Sequence, residues 1–232
     1  MKIMSFNTQH CLNYIKRTID FDIMAKTILD CDADIVGLNE MRGAGQVPEF
    51  TAQVEMLSEL TGMKYFYFAK AIDVSKKGPY GNAILSKIPI INAENIPIPD
   101  PDHKICGKYY ETRCILRAEL EGGLVVVVTH FGLQPDEQKN AVKAVLDTVC
   151  EKRCILMGDF NVTPENTVLD PIRDIMKDTA EAFDMPKLSY PSDNPRRKID
   201  YIFVSHDIEV ESADIPHIIA SDHLPHIANV KI

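Results

Sequence analysis

The sequence predicts an α/β protein in which two packed β-sheets are flanked by helices. Many short apolar runs end at polar residues, and stretches with helical periodicity separate these runs. A helix, a polar turn, an apolar strand and a terminal carboxylate follow one another over 20–40 and again over 135–159. Two similar halves of this kind favour two packed sheets with helices outside. Periodicity alone leaves a single doubly wound sheet open as the alternative.

Periodicity and turn residues divide the first half of the chain into strands and helices. Ile19, Ile23, Ile28 and Cys31 share one face of the first helix, and Gly62 ends the second one. The predicted elements are a strand over 1–6, a helix over 20–31, a buried strand over 34–40, a helix over 50–61, an aromatic strand over 64–69, and neighbouring strands over 81–86 and 88–96.

The second half continues the alternation after a proline-rich loop over 97–109. Gly122 and Gly123 predict a hairpin, whose second strand is continuously apolar and therefore buried on both faces. No linker, charge block or low-complexity stretch interrupts the chain, so we expect one domain over 1–232. The predicted elements are hairpin strands over 112–120 and 122–129, a helix over 135–151, a strand over 154–157, helical pieces over 165–183, a proline-rich loop over 184–197, and strands over 199–204, 207–214 and 226–231.

Composition narrows the class of protein. The formal net charge is −9, whereas proteins that bind nucleic acids usually carry a surplus of basic residues. Duplex DNA is therefore a disfavoured partner. The net charge does not exclude a local basic rim. None of the six cysteines forms a C-x-x-C pair, and buried thiols in a reducing compartment explain them best. No signal peptide or membrane-spanning run is visible, so we expect a soluble cytoplasmic protein.

The run Ile155–Asn161 reads Ile-Leu-Met-Gly-Asp-Phe-Asn and is typical of a buried strand that ends at an active site. We expect Gly158 to let the chain turn sharply. Asp159 and Asn161 are two residues apart and would share a face if the extended geometry continues. The alternative is an Asp/Asn turn that caps the following helix.

Other polar residues also lie at the ends of apolar runs, and their number indicates one site assembled by folding. Carboxylate and amide oxygens suit Mg²⁺ or Mn²⁺ rather than zinc. Such an ion polarises a phosphoryl oxygen, a second carboxylate activates water, and histidines contact the phosphate. The set therefore predicts metal-assisted hydrolysis of a phosphate ester. These residues are Asn7, Glu40, His130, Asp159, Asn161, Asp200, Asp222 and His223.

Six stretches resemble motifs of the endonuclease/exonuclease/phosphatase superfamily, which includes deoxyribonucleases, abasic-site endonucleases, neutral sphingomyelinases and inositol-polyphosphate 5-phosphatases. Their order and spacing agree along the whole chain. The resemblance implies a deoxyribonuclease-like four-layer α/β/β/α sandwich with two packed mixed β-sheets. The stretches are Ser5-Phe6-Asn7, Asp34–Glu40, Thr129-His130, Gly158–Asn161, Lys198–Ile202 and Ser221–Pro225.

The resemblance also implies a metal site. Glu40 is similar to the principal magnesium ligand of the family, with Asn7 beside it and Asp222 completing the coordination. Some members carry an Asp two residues after the first-strand Asn as an extra ligand. This chain has Gln9 there, so we expect a single ion on Glu40.

The remaining roles follow from the same resemblance. Asp159 orients or deprotonates the attacking water, and Asn161 holds Asp159 or the phosphate. His223 faces the scissile phosphate with Asp200 behind it. His130 resembles the second phosphate-facing histidine of the deoxyribonuclease and sphingomyelinase branches, which favours those branches over the abasic-site enzymes. Two arginines match substrate-contacting or structural positions of the family, namely Arg42 and Arg113.

The motifs indicate the reaction more sharply than the substrate. The first hypothesis is a phosphodiesterase or phosphomonoesterase that acts on a small or lipid-like phosphate ester. The alternatives are a DNA or RNA nuclease and a catalytically silent binding protein that kept the fold. We expect the substrate rim to come from loops over 41–49, 73–80, 97–110 and 184–198. Their basic and aromatic residues are Arg42, Lys76, Lys77, Lys104, Lys108, Arg196, Arg197 and Lys198, with Tyr80, Tyr109 and Tyr110.

Overall fold

The computed structural model describes residues 1–232 and contains two six-stranded mixed sheets with helices on their outer faces. The strands are β1 (Lys2–Asn7), β2 (Ile35–Arg42), β3 (Tyr65–Val74), β4 (Gly78–Ser86), β5 (Ile90–Pro97), β6 (Cys114–Leu120), β7 (Val125–His130), β8 (Cys154–Asp159), β9 (Lys177–Asp178), β10 (Asp200–Val204), β11 (Glu209–Asp214) and β12 (His226–Lys231). The helices are α1 (Phe21–Asp30), α2 (Gln53–Thr61), α3 (Pro135–Thr148) and α4 (Asp170–Arg173).

Each sheet has one parallel pair of strands near its centre and antiparallel neighbours around it. The first sheet has the order β11-β12-β1-β2-β4-β3, and β1 runs parallel to β2. The second has the order β5-β6-β7-β8-β10-β9, and β7 runs parallel to β8. The repeated pattern of the two halves therefore corresponds to one parallel pair in each sheet.

Apolar side chains fill three layers between the elements. Ile3, Ile35 and Ile84 of the first sheet share a buried cluster with Val126 and Ile155 of the second. The outer face of the first sheet packs on α1 and α2, and that of the second packs on α3. Burial of this apolar area is the main force that holds the layers together. The predicted α/β/β/α sandwich is confirmed, and a single doubly wound sheet is excluded.

Local signals place most of the helix ends. The Asp20 side chain accepts a hydrogen bond from Ile23 N at 3.1 Å and caps α1. Gly62 adopts a left-handed conformation and ends α2, as predicted. At the start of α3, Glu137 Oε2 accepts from Gln134 N at 3.0 Å. No helix has the length and apolar character needed to cross a membrane.

Several local predictions were wrong. The strands near 81–86 and 88–96 are not neighbours, because β4 pairs with β2 and β3 whereas β5 pairs with β6 in the other sheet. Helix α2 begins at Gln53 rather than at residue 50. The segment over 165–183 also contributes the short strand β9, which pairs with β10. All six cysteines are free as expected, but Cys106 is exposed rather than buried.

Candidate functional site

The predicted site residues lie where the central strands of both sheets end. Asn7 ends β1 and pairs in register with Asn39 of β2. His130 ends β7 and pairs with Asp159, which ends β8. Asp200 begins β10 opposite Asp159. Because the two sheets pack face to face, these strand ends bring the side chains to one place.

A β-bulge presents Glu40. The register between β2 and β4 shifts between Leu38 and Met41, and Glu40 has φ +62°. A non-glycine residue in the left-handed region costs free energy, which the surrounding pairing must supply. The bulge re-aims the carboxylate away from the direction that a regular strand would give it.

Gly158 is required for close strand contact and not for the sharp turn that the sequence predicted. Strand β8 continues through it to Asp159 with φ +147° at the glycine. A Cβ atom at this position would lie 1.8 Å from the carbonyl oxygen of Thr129. Only glycine lets β7 and β8 approach closely enough to bring His130 beside Asp159.

The turn follows at Asn161, which has φ +52°. Its N–H donates to Asp159 Oδ1 at 2.9 Å, and its side-chain amide donates to Phe131 O at 3.0 Å. The extended geometry thus ends at Asp159, yet Asn161 stays against it through an Asx turn. The helix-capping alternative fails, because the first of these hydrogen bonds serves the site.

Asn7 lies between the two acidic residues of the site. Its amide nitrogen donates to Glu40 Oε1 at 3.1 Å and to Asp159 Oδ2 at 3.0 Å. Its amide oxygen accepts from the backbone N–H of Gln9 at 3.0 Å. Asn7 therefore offers its nitrogen rather than its oxygen to the carboxylates, and this orientation does not suit a metal ligand.

Asp159 is flanked by both histidines. Its Oδ2 lies 3.5 Å from His130 Nε2 and 3.5 Å from His223 Nε2. Burial raises the pKa of the Asp159 carboxyl to about 7, although the positive charge of His223 opposes this shift. A carboxyl group with such a pKa can exchange a proton near neutral pH.

His223 lies between two carboxylates. Its Nδ1 lies 2.8 Å from Asp200 Oδ2, and Tyr190 covers the ring at 4.8 Å between centroids. Burial lowers the pKa of His223, but the charges of Asp200 and Asp159 outweigh burial and raise it to about 10. The imidazole is therefore a cation at neutral pH, as expected for a histidine backed by Asp200.

His130, unlike His223, is uncharged at neutral pH. Arg113 NH1 lies 3.0 Å from His130 Nδ1 and also pairs with Glu111 Oε1 at 2.6 Å. The amide nitrogen of Asn161 lies 3.1 Å from His130 Nε2, so a group that only donates faces each ring nitrogen. Burial and the charges of Arg113 and His223 hold the pKa of His130 well below its ordinary value. His130 is thus a neutral imidazole held between Arg113 and Asn161, and Arg113 is buried behind it.

Glu40 and Asp222 form no ion pair. Burial and the charge of Asp222 raise the pKa of Glu40, against the hydrogen bond from Asn7 and the charges of His223 and Arg113. The ion pairs of both histidines go to Asp159 and Asp200. Two carboxylates without an ion-paired cation suit a hard divalent ion.

One group of three side chains has the spacing of a metal site. Ligand atoms of Asp159, Asp200 and His223 lie within 4.8 Å of one another. Between these carboxylates His223 is an imidazolium, which has no free lone pair for a metal. Glu40 and Asp222 carry no such ion pair and are the other carboxylates that could hold an ion.

Of the predicted residues of the substrate rim, Arg42 is held by its own loop and Lys198 is buried. Arg42 donates to Glu49 O at 3.3 Å and covers the Phe50 ring at 4.8 Å, and it makes no hydrogen bond to the acidic residues. Lys198 is buried rather than on the rim, with its amine 3.3 Å from the centroid of the Tyr201 ring.

Sequence reasoning missed Asn39, which links the two sheets under the site. Its Oδ1 accepts from Asp159 N at 2.9 Å, and its Nδ2 donates to Asn82 Oδ1 at 2.8 Å and to Thr129 O at 2.9 Å. All these atoms are buried, so the hydrogen bonds form in a medium of low dielectric constant. A signal was present, because Asn39 is a polar residue directly after the apolar run 35–38, beside Glu40.

Comparisons with known proteins agree with this geometry. A model of the Endonuclease/Exonuclease/phosphatase family matches residues 4–223. The uncharacterized protein YbhP of Escherichia coli (strain K12) is 23% identical over 250 residues, which cover 100% of this chain and 96% of YbhP.

Solved structures show the same architecture. An endonuclease/exonuclease/phosphatase from Beutenbergia cavernae DSM 12333 superposes with a TM-score of 0.80 at 20% identity, covering 100% of this chain and 71% of that one. The mannosyl-6-phosphatase Bt3783 of Bacteroides thetaiotaomicron VPI-5482 gives 0.78 at 16% identity and covers 100% of both chains. At these identities the structures establish a common fold.

Proposed function

The chain belongs to the endonuclease/exonuclease/phosphatase family, and from this premise we propose that it is a Mg²⁺- or Mn²⁺-dependent hydrolase of phosphate esters. The observation that carries the proposal is the convergence on Asp159. Asn7 from the first sheet and His130 from the second contact the same carboxylate oxygen, with His223 on its third side. Such a set suits the activation of water beside a phosphate.

Asp159 is the base in this proposal. Its Oδ2 takes a proton from water, and Asn7 and Asn161 keep the carboxylate in place through hydrogen bonds of 3.0 and 2.9 Å. Its pKa of about 7 leaves a large fraction ionised at neutral pH, while the carboxylate remains basic enough to accept the proton.

The histidines stabilise the phosphoryl group in different ways. His223 contributes a positive charge that is maintained by Asp200. His130 contributes a neutral imidazole, which Arg113 holds through Nδ1. We therefore assign Arg113 as a positioning residue, and it contacts substrate only through His130. Donors fixed in a buried site stabilise negative charge more strongly than donors in water.

Glu40 and Asp222 would hold the metal, and Asn7 would position Glu40 by donating to its Oε1. When bound, the ion polarises a phosphoryl oxygen and offsets its negative charge. The net charge of −9 favours a small phosphate ester over a polynucleotide. A nuclease and a silent binding protein are the alternatives that the experiment must separate.

The test assays a panel of phosphomonoesters and phosphodiesters with Mg²⁺, beside plasmid nicking and cleavage of an abasic oligonucleotide. We expect turnover of at least one small ester and its loss in EDTA. Asp159→Asn should lower kcat by about 10²-fold or more, because the base is removed. Asp147→Asn, an exposed change of the same kind on α3, is the matched control.

Three results would contradict the proposal. Activity that persists in EDTA would exclude a metal mechanism. Full activity of the Asp159→Asn variant would exclude Asp159 as the base. No turnover of any substrate, together with no Mg²⁺ binding by calorimetry, would identify a silent member of the family.

A further inference from the structure

A cavity of about 450 Å³ is bounded by residues 163–165, 183–188 and 196–198, with Ala180. We refer to it as the arginine cavity, after Arg196 and Arg197 in its wall. Its volume is in the range of sites for small ligands. Its wall includes the predicted rim residues Arg196, Arg197 and Lys198, and none of the catalytic or metal roles assigned above involves its residues.

The arginine cavity adjoins the candidate catalytic centre through two short chain segments and one pair of ring contacts. Thr163 in its wall is two residues after Asn161, and Lys198 is two residues before Asp200. The Arg197 guanidinium lies 5.3 Å from the ring centroid of Tyr190, and this ring packs on His223 at 4.8 Å. A substrate whose phosphate contacts His223 would therefore place its other end near this wall.

The wall carries positive charge that the protein leaves unpaired. Arg196 and Arg197 are exposed, and neither forms an ion pair with a carboxylate. The Lys198 amine is buried without a hydrogen-bond partner, and its nearest carboxylate oxygen, on Asp178, is 3.6 Å away. Asp178 and the Tyr201 ring thus accompany the Lys198 amine, and the charge left without an ion-pair partner is that of Arg196 and Arg197.

The acidic residues of the arginine cavity form no ion pair with these arginines. Glu165 and Asp184 also line the wall, while Lys187 is paired with Asp214 outside it. The larger groove beside α3 has the opposite character. Its wall contains Asp100, Asp102, Asp136 and Asp147 against the single lysine Lys143. In an acidic protein, an anion would therefore select the arginine cavity.

We infer that the arginine cavity binds a second anionic group of the substrate, a phosphate or carboxylate carried by the alcohol part of the ester. The inference rests on the proposed hydrolysis of phosphate esters and narrows its substrates to small esters with two anionic groups. Arg196 and Arg197 would contact the second group. Guanidinium groups suit this task because they bind phosphate and carboxylate bidentately.

The experiment compares glucose 1,6-bisphosphate with glucose 1-phosphate and glucose 6-phosphate. We expect kcat/KM to be about tenfold higher for the bisphosphate in the wild type, as charge-assisted hydrogen bonds would give. In the double variant Arg196→Gln, Arg197→Gln this ratio should fall to about one. The backbone hydrogen bonds of both residues to Tyr190 O do not depend on their side chains, so the loop is retained.

Lys143→Gln is the control, because it removes one charge from the opposite groove. It should keep the tenfold ratio. A ratio that is the same in the wild type and in the double variant would overturn the inference, and so would a ratio that falls equally in the control.

Binding separates this inference from the proposed function. Calorimetry in EDTA gives the dissociation constants of the same three esters without turnover, and the same preference for the bisphosphate is expected. Preferential binding of the bisphosphate without hydrolysis would refute the proposed function on these esters, whereas the inference of an anion site would stand. If the double variant instead loses affinity for a single-stranded oligonucleotide while its sugar-phosphate ratio is unchanged, the cavity belongs to a polynucleotide and the inference fails.

Discussion

Asp159 and His223 are buried and carry opposite charges when ionised, and each shifts the pKa of the other. Burial raises the pKa of Asp159 to about 7. The carboxylates of Asp200 and Asp159 raise the pKa of His223 to about 10. Hydrolysis that needs ionised Asp159 and protonated His223 should increase as the pH passes 7 and decrease as it passes 10. A bound metal stabilises the carboxylate of Asp159, so it should move the acidic limb to lower pH.

The variant Asp200→Asn tests the basic limb. Removing the carboxylate 2.8 Å from Nδ1 lowers the pKa of His223, because one of the charges that favour the imidazolium is lost. The basic limb of kcat/KM should therefore move down by about one to two pH units. Calorimetric affinity for Mg²⁺ should not change, since Glu40 and Asp222 remain. A collapse of metal affinity would instead make Asp200 a ligand.

At the residue scale, polar side chains that end apolar runs could be predicted, and residues buried between the sheets could not. His130, Asp159 and Asp200 each stand at the end of an apolar run, and the structure brings them together with His223. The orientation of Asn7 depends on the N–H of Gln9, which no motif records. Lys198 is charged and lies in a proline-rich region, yet packing on Tyr201 buries it.

At the element scale, local signals specified hairpins and helix ends but not the partners of strands. The hairpin of β6 and β7 follows from Gly122 and Gly123 and is confirmed. Strands β4 and β5 are consecutive in the chain, yet they belong to different sheets. The choice depends on which apolar faces pack against each other, and that is a property of the assembled core rather than of the segment.

Gly158→Ala tests the close contact of β7 and β8. The added Cβ would lie 1.8 Å from Thr129 O, so the strands must separate. We expect the free energy of unfolding to fall by about 3 kcal/mol or more, with loss of activity. The measurement is urea denaturation followed by circular dichroism.

Gly123→Ala provides the control for backbone strain. It also has positive φ, but a Cβ there meets nothing within 4 Å, so it should cost only about 1–2 kcal/mol. Equal losses in the two variants would show that strand contact is not the reason for Gly158.

At the scale of the whole molecule, the two sheets share one buried cluster and are joined by the hydrogen bonds of Asn39. We propose that residues 1–232 form one domain, and we expect one cooperative unfolding transition. The chain has no tryptophan, so far-ultraviolet circular dichroism and tyrosine fluorescence are the suitable probes. Their midpoints in urea should coincide. Midpoints that differ between the two probes would show that the chain contains units that unfold independently.

The pairing of β1 with β12 has a consequence for synthesis. Lys2 pairs with Asn229, so β1 lacks this neighbour until the region over 226–231 has been synthesised. Until then β1 can pair along its other edge with β2, where Asn7 lies opposite Asn39. A nascent chain would thus carry an incomplete first sheet until translation of the region over 226–231 is complete.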